Sequence, residues 1–154
     1  MKNKVLIFLS LILTLVCFDN AMACWCRNDP EETNKPEKLK KVVVQKLRNR
    51  DAVFSGEVIE IGKSKIKFKV TKVWKGDVAE TEITISRWFY TKIKNKTYIE
   101  CSFQSFEVGK SYLLYADLFD NRLQVEDCSR SRFFDKAESD LKVLNSLKAN
   151  EFQK

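Results

Sequence analysis

Two cysteines one residue apart, Cys24 and Cys26, stand directly behind a short apolar leader, while Cys101 and Cys128 lie far along the chain. The fifth cysteine, Cys17, belongs to the leader. An even number of cysteines in an exported domain reads as two disulfides. A Cys24–Cys26 bond would close a very small, strained ring and ranks last among the three connectivities. Both remaining pairings tie the N-terminal segment to two distant places in the chain. Each closure spans a long loop, worth on the order of 4–5 kcal/mol if its effect is mainly on the entropy of the unfolded chain. The plain role of these bonds is to staple a small domain. The sharper one is to hold the N-terminus rigidly at the surface.

The leader has the form of a signal peptide over residues 1–23. Lys2 and Lys4 make a positive start, Val5 to Phe18 is apolar except for Ser10 and Thr14, and Ala21-Met22-Ala23 supplies small residues for cleavage. The apolar run is short for a transmembrane span. Cleavage after Ala23 leaves Cys24 first, with a free α-amino group. The protein is then expected to be secreted, periplasmic or otherwise extracytoplasmic, with residues 24–154 forming a single domain. A competing reading makes Cys24 the lipid-anchored first residue of a lipoprotein, but the leucine usual three places earlier is absent.

Composition narrows the chemistry. The chain has 0 His, which removes the commonest general base and metal ligand and excludes a Ser-His-Asp or Cys-His hydrolase. Redox catalysis through Cys24 and Cys26 fits poorly, since thiol–disulfide enzymes use Cys-x-x-Cys at a helix start and Asp29-Pro30 follows here. No enzyme, no catalytic residue and no cofactor of its own are expected. The net charge of +7 favours anionic partners, or simply keeps a lysine-rich surface soluble.

The mature chain begins with a polar loop holding Pro30 and Pro36. The apolar stripe Leu39, Val42, Val43 and Leu47 predicts a helix over about 36–48, against the strand preference of the valine run. A strand is expected over 52–61, with Gly56 marking a bulge or bend. Ile66, Phe68 and Val70 alternate with Lys65, Lys67 and Lys69, a half-buried strand whose register shifts near Val73. Further strands are expected at 81–88, 111–118 and from Leu123 to Cys128, with irregular chain over Phe89–Ser105 and a C-terminal helix over 134–152. Five short strands bending at glycine, flanked by helices, suggest a mainly β protein built on an OB-type barrel, with a sandwich as the alternative.

In this order, Cys24-x-Cys26, Ala52-Val53-Phe54-Ser55-Gly56-Glu57-Val58, Val70-x-x-Val73-Trp74-Lys75-Gly76, Cys101, Gly109-Lys110-Ser111-Tyr112-Leu113 and Cys128 resemble the N-terminal, netrin-like domain of the tissue inhibitors of metalloproteinases. The likeness covers nearly all of the mature chain. It implies an OB-type barrel with the pairs Cys24–Cys101 and Cys26–Cys128, without that family's third disulfide of this domain or its C-terminal domain. It also implies inhibition of a zinc metalloprotease. The amine and carbonyl of Cys24 would chelate the target's catalytic zinc and displace its water, which is the nucleophile. Trp25 would enter the first primed-side pocket, and Cys26 would anchor the edge. The family carries a small residue at the place of Trp25, so a tryptophan suits only a deep pocket.

Two other functions compete. One is a netrin-like module binding another extracytoplasmic protein or a glycan without protease inhibition, since a fold does not fix a function. The other is a single-strand nucleic-acid groove using Trp74, Trp88, Phe89 and Tyr90, against which export argues. Asn95-Lys96-Thr97 is a glycosylation sequon that only a eukaryotic host would use.

Overall fold

A computed structural model describes residues 35–78, 81–100, 102–103 and 106–147. The first helix, α1 (Pro36–Asn49), carries Pro36 and Glu37 in its opening turn and Lys46 and Arg48 in its last, in keeping with the helix dipole. Its face with Val43 and Leu47 is buried, and this packing overrides the strand preference of the valine run.

Eight strands follow: β1 (Ala52–Ile61), β2 (Lys65–Lys75), β3 (Glu82–Ser86), β4 (Phe89–Ile93), β5 (Lys96–Glu100), β6 (Ser111–Phe119), β7 (Arg122–Gln124) and β8 (Arg132–Phe133). The order β1-β2-β3-β7-β6 closes on itself because β6 also pairs with β1. β3 and β7 run parallel and the other neighbours antiparallel, so the expected five-stranded barrel of OB type forms. A second helix, α2 (Glu138–Ser146), follows a 3₁₀ turn at Phe134–Lys136.

Strand alternation divides the apolar residues into two clusters. Phe54, Val58, Ile66, Phe68, Ile85, Tyr112 and Leu114 point into the barrel. Val53, Leu113 and Tyr115 point outward, where Val43 and Leu47 of α1 and Leu144 of α2 cover them. This is why Tyr112 to Tyr115 reads as an unbroken apolar run: β6 is buried on both faces. β2 is buried on one face alone over Lys65–Val70, hence its clean alternation.

Two glycines are required by close approach. The register between β1 and β2 shifts at Ser55/Gly56, and a Cβ on Gly56 would stand 2.9 Å from the Lys69 carbonyl oxygen. Gly76 has φ +93°, and a Cβ there would lie 2.6 Å from the Asp51 carbonyl oxygen. Gly76→Ala combines a left-handed backbone with a backbone clash, and thermal unfolding is expected to show a loss of about 2 kcal/mol.

Several sequence expectations need correction. The first part of the stretch expected to be irregular, 89–100, is regular: β4 and β5 form a separate two-stranded hairpin, turning through Lys94 (φ 47°) and Asn95 (φ 64°). Its lysines interrupt each apolar pattern, so it lacks the one-sided signature of a core strand. The third barrel strand is shorter than 81–88. The last ends at Gln124 rather than reaching Cys128, with an isolated bridge between Ser102 and Glu126 beyond it. The helical segment predicted over 134–152 begins as a 3₁₀ turn, and its part beyond 147 falls outside the described residues.

Candidate functional site

Of the residues singled out by the sequence, Cys24, Trp25, Cys26 and Cys101 lie outside the described residues, as does the leader. Cys128 is described and is disulfide-bonded; the identity of its partner falls outside the described residues. The surroundings of Cys128 are built in detail, by side chains that carry no sequence motif.

The chain approaching Cys128 is fixed first by main-chain pairing. Ser102 bridges Glu126 in antiparallel fashion, and the Phe103 N–H donates to the Val125 carbonyl at 3.0 Å. The covalent neighbour of Ser102 is Cys101, and Cys128 stands two residues past Glu126. Consecutive Cα atoms are about 3.8 Å apart, and paired antiparallel residues about 4.5–5.5 Å. Chain connectivity alone therefore confines the Cα atoms of Cys101 and Cys128 to within about 17 Å of each other.

Side chains supply the rest. Arg50, just past α1, reaches Asp117 on β6 with one guanidinium nitrogen and Glu126 with the other, the latter at 2.7 Å. Lys46 donates to the Cys128 carbonyl at 3.4 Å. Burial lowers the Lys46 ammonium below its ordinary pKa, and the nearby Arg50 adds to this. After Cys128, the Ser129 N–H donates to the Glu126 carbonyl, the Ser129 and Ser131 hydroxyls pair at 2.8 Å, and the Tyr115 N–H donates to the Ser131 hydroxyl at 2.9 Å. Arg130, at φ 76°, turns back to α2, where both its Nε and Nη2 donate to the Asp140 carboxylate. The segment 126–131 is thus pinned to α1, β6 and α2 together.

Burial raises the Asp117 carboxyl above its ordinary pKa, although the adjacent Arg50 pulls it down. A carboxyl raised on folding binds its proton more tightly in the native state. As an anion it works against folding, and this part of stability is lost as pH rises through the folded pKa. Arg50→Ala removes the offsetting cation, leaving two carboxylates side by side. It is expected to lose about 2 kcal/mol at pH 7. The deficit should narrow as pH falls and Asp117 takes up a proton, and denaturant unfolding at neutral and acid pH measures it.

Of the aromatic residues considered for nucleic acid, Trp74 and Tyr90 fall into different neighbourhoods. Trp74 packs beside the outer cluster and its indole N–H donates to Asn145 at 3.1 Å, whereas Tyr90 stacks on Phe119 with ring centroids 6.0 Å apart. Among the described residues no group of three or more His, Cys, Asp or Glu is placed to hold a metal ion, and no helix is long and apolar enough to cross a membrane. No family model matches the chain, and no curated protein matches it.

Proposed function

We propose that the protein is an exported inhibitor of a zinc metalloprotease, acting through the amine and carbonyl of Cys24 as a chelating wedge. The observation that carries the reading is the Ser102–Glu126 bridge beside a half-cystine at Cys128. Residues 24 and 26 stand at most about 7 Å apart, so two bonds from them need receiving cysteines that lie near one another. A disulfide spans a Cα separation of about 4.4–6.8 Å, so the confinement of Cys101 and Cys128 fits this need. It fits either of the two long-range pairings equally. The rigid mounting of segment 126–131 also supports the reading, because a wedge ordered in advance loses less entropy when it binds.

In this mechanism the α-amino group, which titrates near pH 8, binds zinc as the neutral amine. Trp25 selects a target whose first primed-side pocket is deep, and the zinc belongs to the target.

The test joins two measurements on the processed protein. Mass spectrometry of the mature N-terminus and of the disulfide-linked peptides is expected to find an unmodified Cys24 joined to Cys101 or Cys128. Inhibition is then assayed against zinc proteases with deep and shallow first primed-side pockets, and only the deep ones are expected to respond. A lipid on Cys24, a start elsewhere, or indifference of every such protease would remove the proposal.

A further inference from the structure

The β4–β5 hairpin stands apart from the barrel and presents a combination of side chains that neither the core nor the proposed wedge uses. It is fastened at its root: the Gln124 side chain accepts from the Tyr90 N–H and donates to the Tyr90 carbonyl, both at 2.8 Å, and Tyr90 stacks on Phe119. Beyond that root, among the described residues β4 and β5 pair only with each other, and two strands alone are too thin to bury a face. Ile93, Tyr98 and Ile99 are accordingly 53%, 46% and 65% exposed. Lys92, Lys94 and Lys96 surround the tip at Ile93, and none forms an ion pair among the described residues. Between Arg87 and Glu100 there are four cations and a single anion, so the apolar tip is set in a positive field.

We propose that this hairpin docks the protein on an anionic lipid surface. Charge complementarity selects the occupant. Lysine is depleted from protein–protein interfaces, where its ammonium would have to be dehydrated, whereas acidic headgroups accept it while its stem lies along apolar surface. A nucleic-acid platform stacks successive bases on several flat aromatic faces, whereas the tip offers Ile93 beside one ring, Tyr98. Among the described residues the hairpin's outer edges have no strand partner, so it enters no deeper than the headgroup boundary, where water still reaches them. There Ile93 and Tyr98, which share one face of the hairpin with Lys96, insert, and the three lysines stay with the phosphates. This docking is independent of zinc chelation and tests separately from it.

The experiment uses the processed chain with its leader removed, floated with vesicles of phosphatidylcholine alone or with about a third phosphatidylglycerol. The wild type is expected to bind the anionic vesicles selectively and to leave them at high salt. Replacing Lys92, Lys94 and Lys96 together by Gln should weaken that binding about 100-fold, at about fivefold per lysine. Their replacement by Arg should restore it. Ile93→Ser with Tyr98→Ser should weaken binding to anionic vesicles about tenfold with the charge unchanged. Unaltered thermal unfolding of the variants confirms that the fold is kept. Equal binding by the Gln variant and the wild type, equal binding to both vesicle types, or no vesicle binding at all overturns the proposal. The last outcome would assign the exposed tip to a protein partner.

Discussion

Adding a single alanine ahead of Cys24 is expected to reduce inhibition of a susceptible zinc protease about 1000-fold while leaving the fold's melting temperature unchanged. The reason is positional. A chelate at a metal needs its amine and carbonyl on the same residue, so that zinc closes a five-membered ring. An extra residue turns the amine of Cys24 into an amide, which neither carries a free lone pair nor titrates near neutrality. The new terminal amine is displaced by one Cα step of about 3.8 Å from a site where metal–nitrogen distances are held near 2.0–2.1 Å. Loss of the central contact of an interface is worth about 4 kcal/mol, which is the 1000-fold just given. The barrel and the network around Cys128 are untouched by the addition, so unfolding does not report it. A module that binds through another surface would behave oppositely, with the extended and the authentic protein equal in every assay. Full inhibition by the extended protein would therefore end the chelation mechanism without disturbing the barrel.

How far the sequence reveals the molecule depends on whether a residue's neighbours lie within one periodic segment. Ile66, Phe68 and Val70 face the barrel interior while Lys65 and Lys69 face water, and a period of two makes that strand plain. Gly56 announces its bulge because only a missing Cβ lets β1 approach the Lys69 carbonyl so closely. The hairpin is less legible: Ile93 and Lys96 face one way, Ile99 and Lys92 the other, so neither face is cleanly apolar. Strand pairing there is satisfied by main-chain bonds and a left-handed turn at Lys94-Asn95 rather than by a buried stripe.

The environment of Cys128 was hidden for a different reason. Arg50, Asp117 and Glu126 are far apart in sequence and individually look like surface charges, yet closing the barrel brings them together. Nothing in a linear pattern encodes such a meeting. Asp140 is the exception. It falls three residues after Ala137 and four before Leu144, on the very stripe that α2 buries, and an acid on an apolar stripe calls for a partner. The spacing was legible; the identity of the partner was not, since Arg130 comes from a loop and Tyr115 from β6.

Asp140→Ala is expected to be the most destabilising single change among the described residues considered, losing about 3–5 kcal/mol and lowering the melting temperature by on the order of 10 °C. Asp140 is 0% exposed, and its carboxylate takes three bonds: from Arg130 Nη2 at 2.6 Å, Arg130 Nε at 3.0 Å and the Tyr115 hydroxyl at 3.0 Å. Burial first, and then the neighbouring Asp140 charge, drive the Tyr115 phenol far above its ordinary pKa, so it remains a donor around neutral pH. Removing the carboxylate strands a mostly buried guanidinium and a buried hydroxyl, and the uncompensated charge dominates the loss. Two further substitutions separate the contributions. Tyr115→Phe takes away one donor but leaves the ion pair whole, and should lose about 1 kcal/mol. Asp140→Asn retains an acceptor without the charge, and should fall between the other two. The chain after Cys128 is held through Arg130, so Asp140→Ala should also speed amide exchange across 129–131, while the barrel strands exchange as before once the global loss is subtracted. If Asp140→Ala melts within 1 kcal/mol of wild type, the pair is not the anchor of this segment, and the rigidity assigned to the Cys128 end must come from its disulfide and from the contacts of Lys46, Arg50 and Ser131.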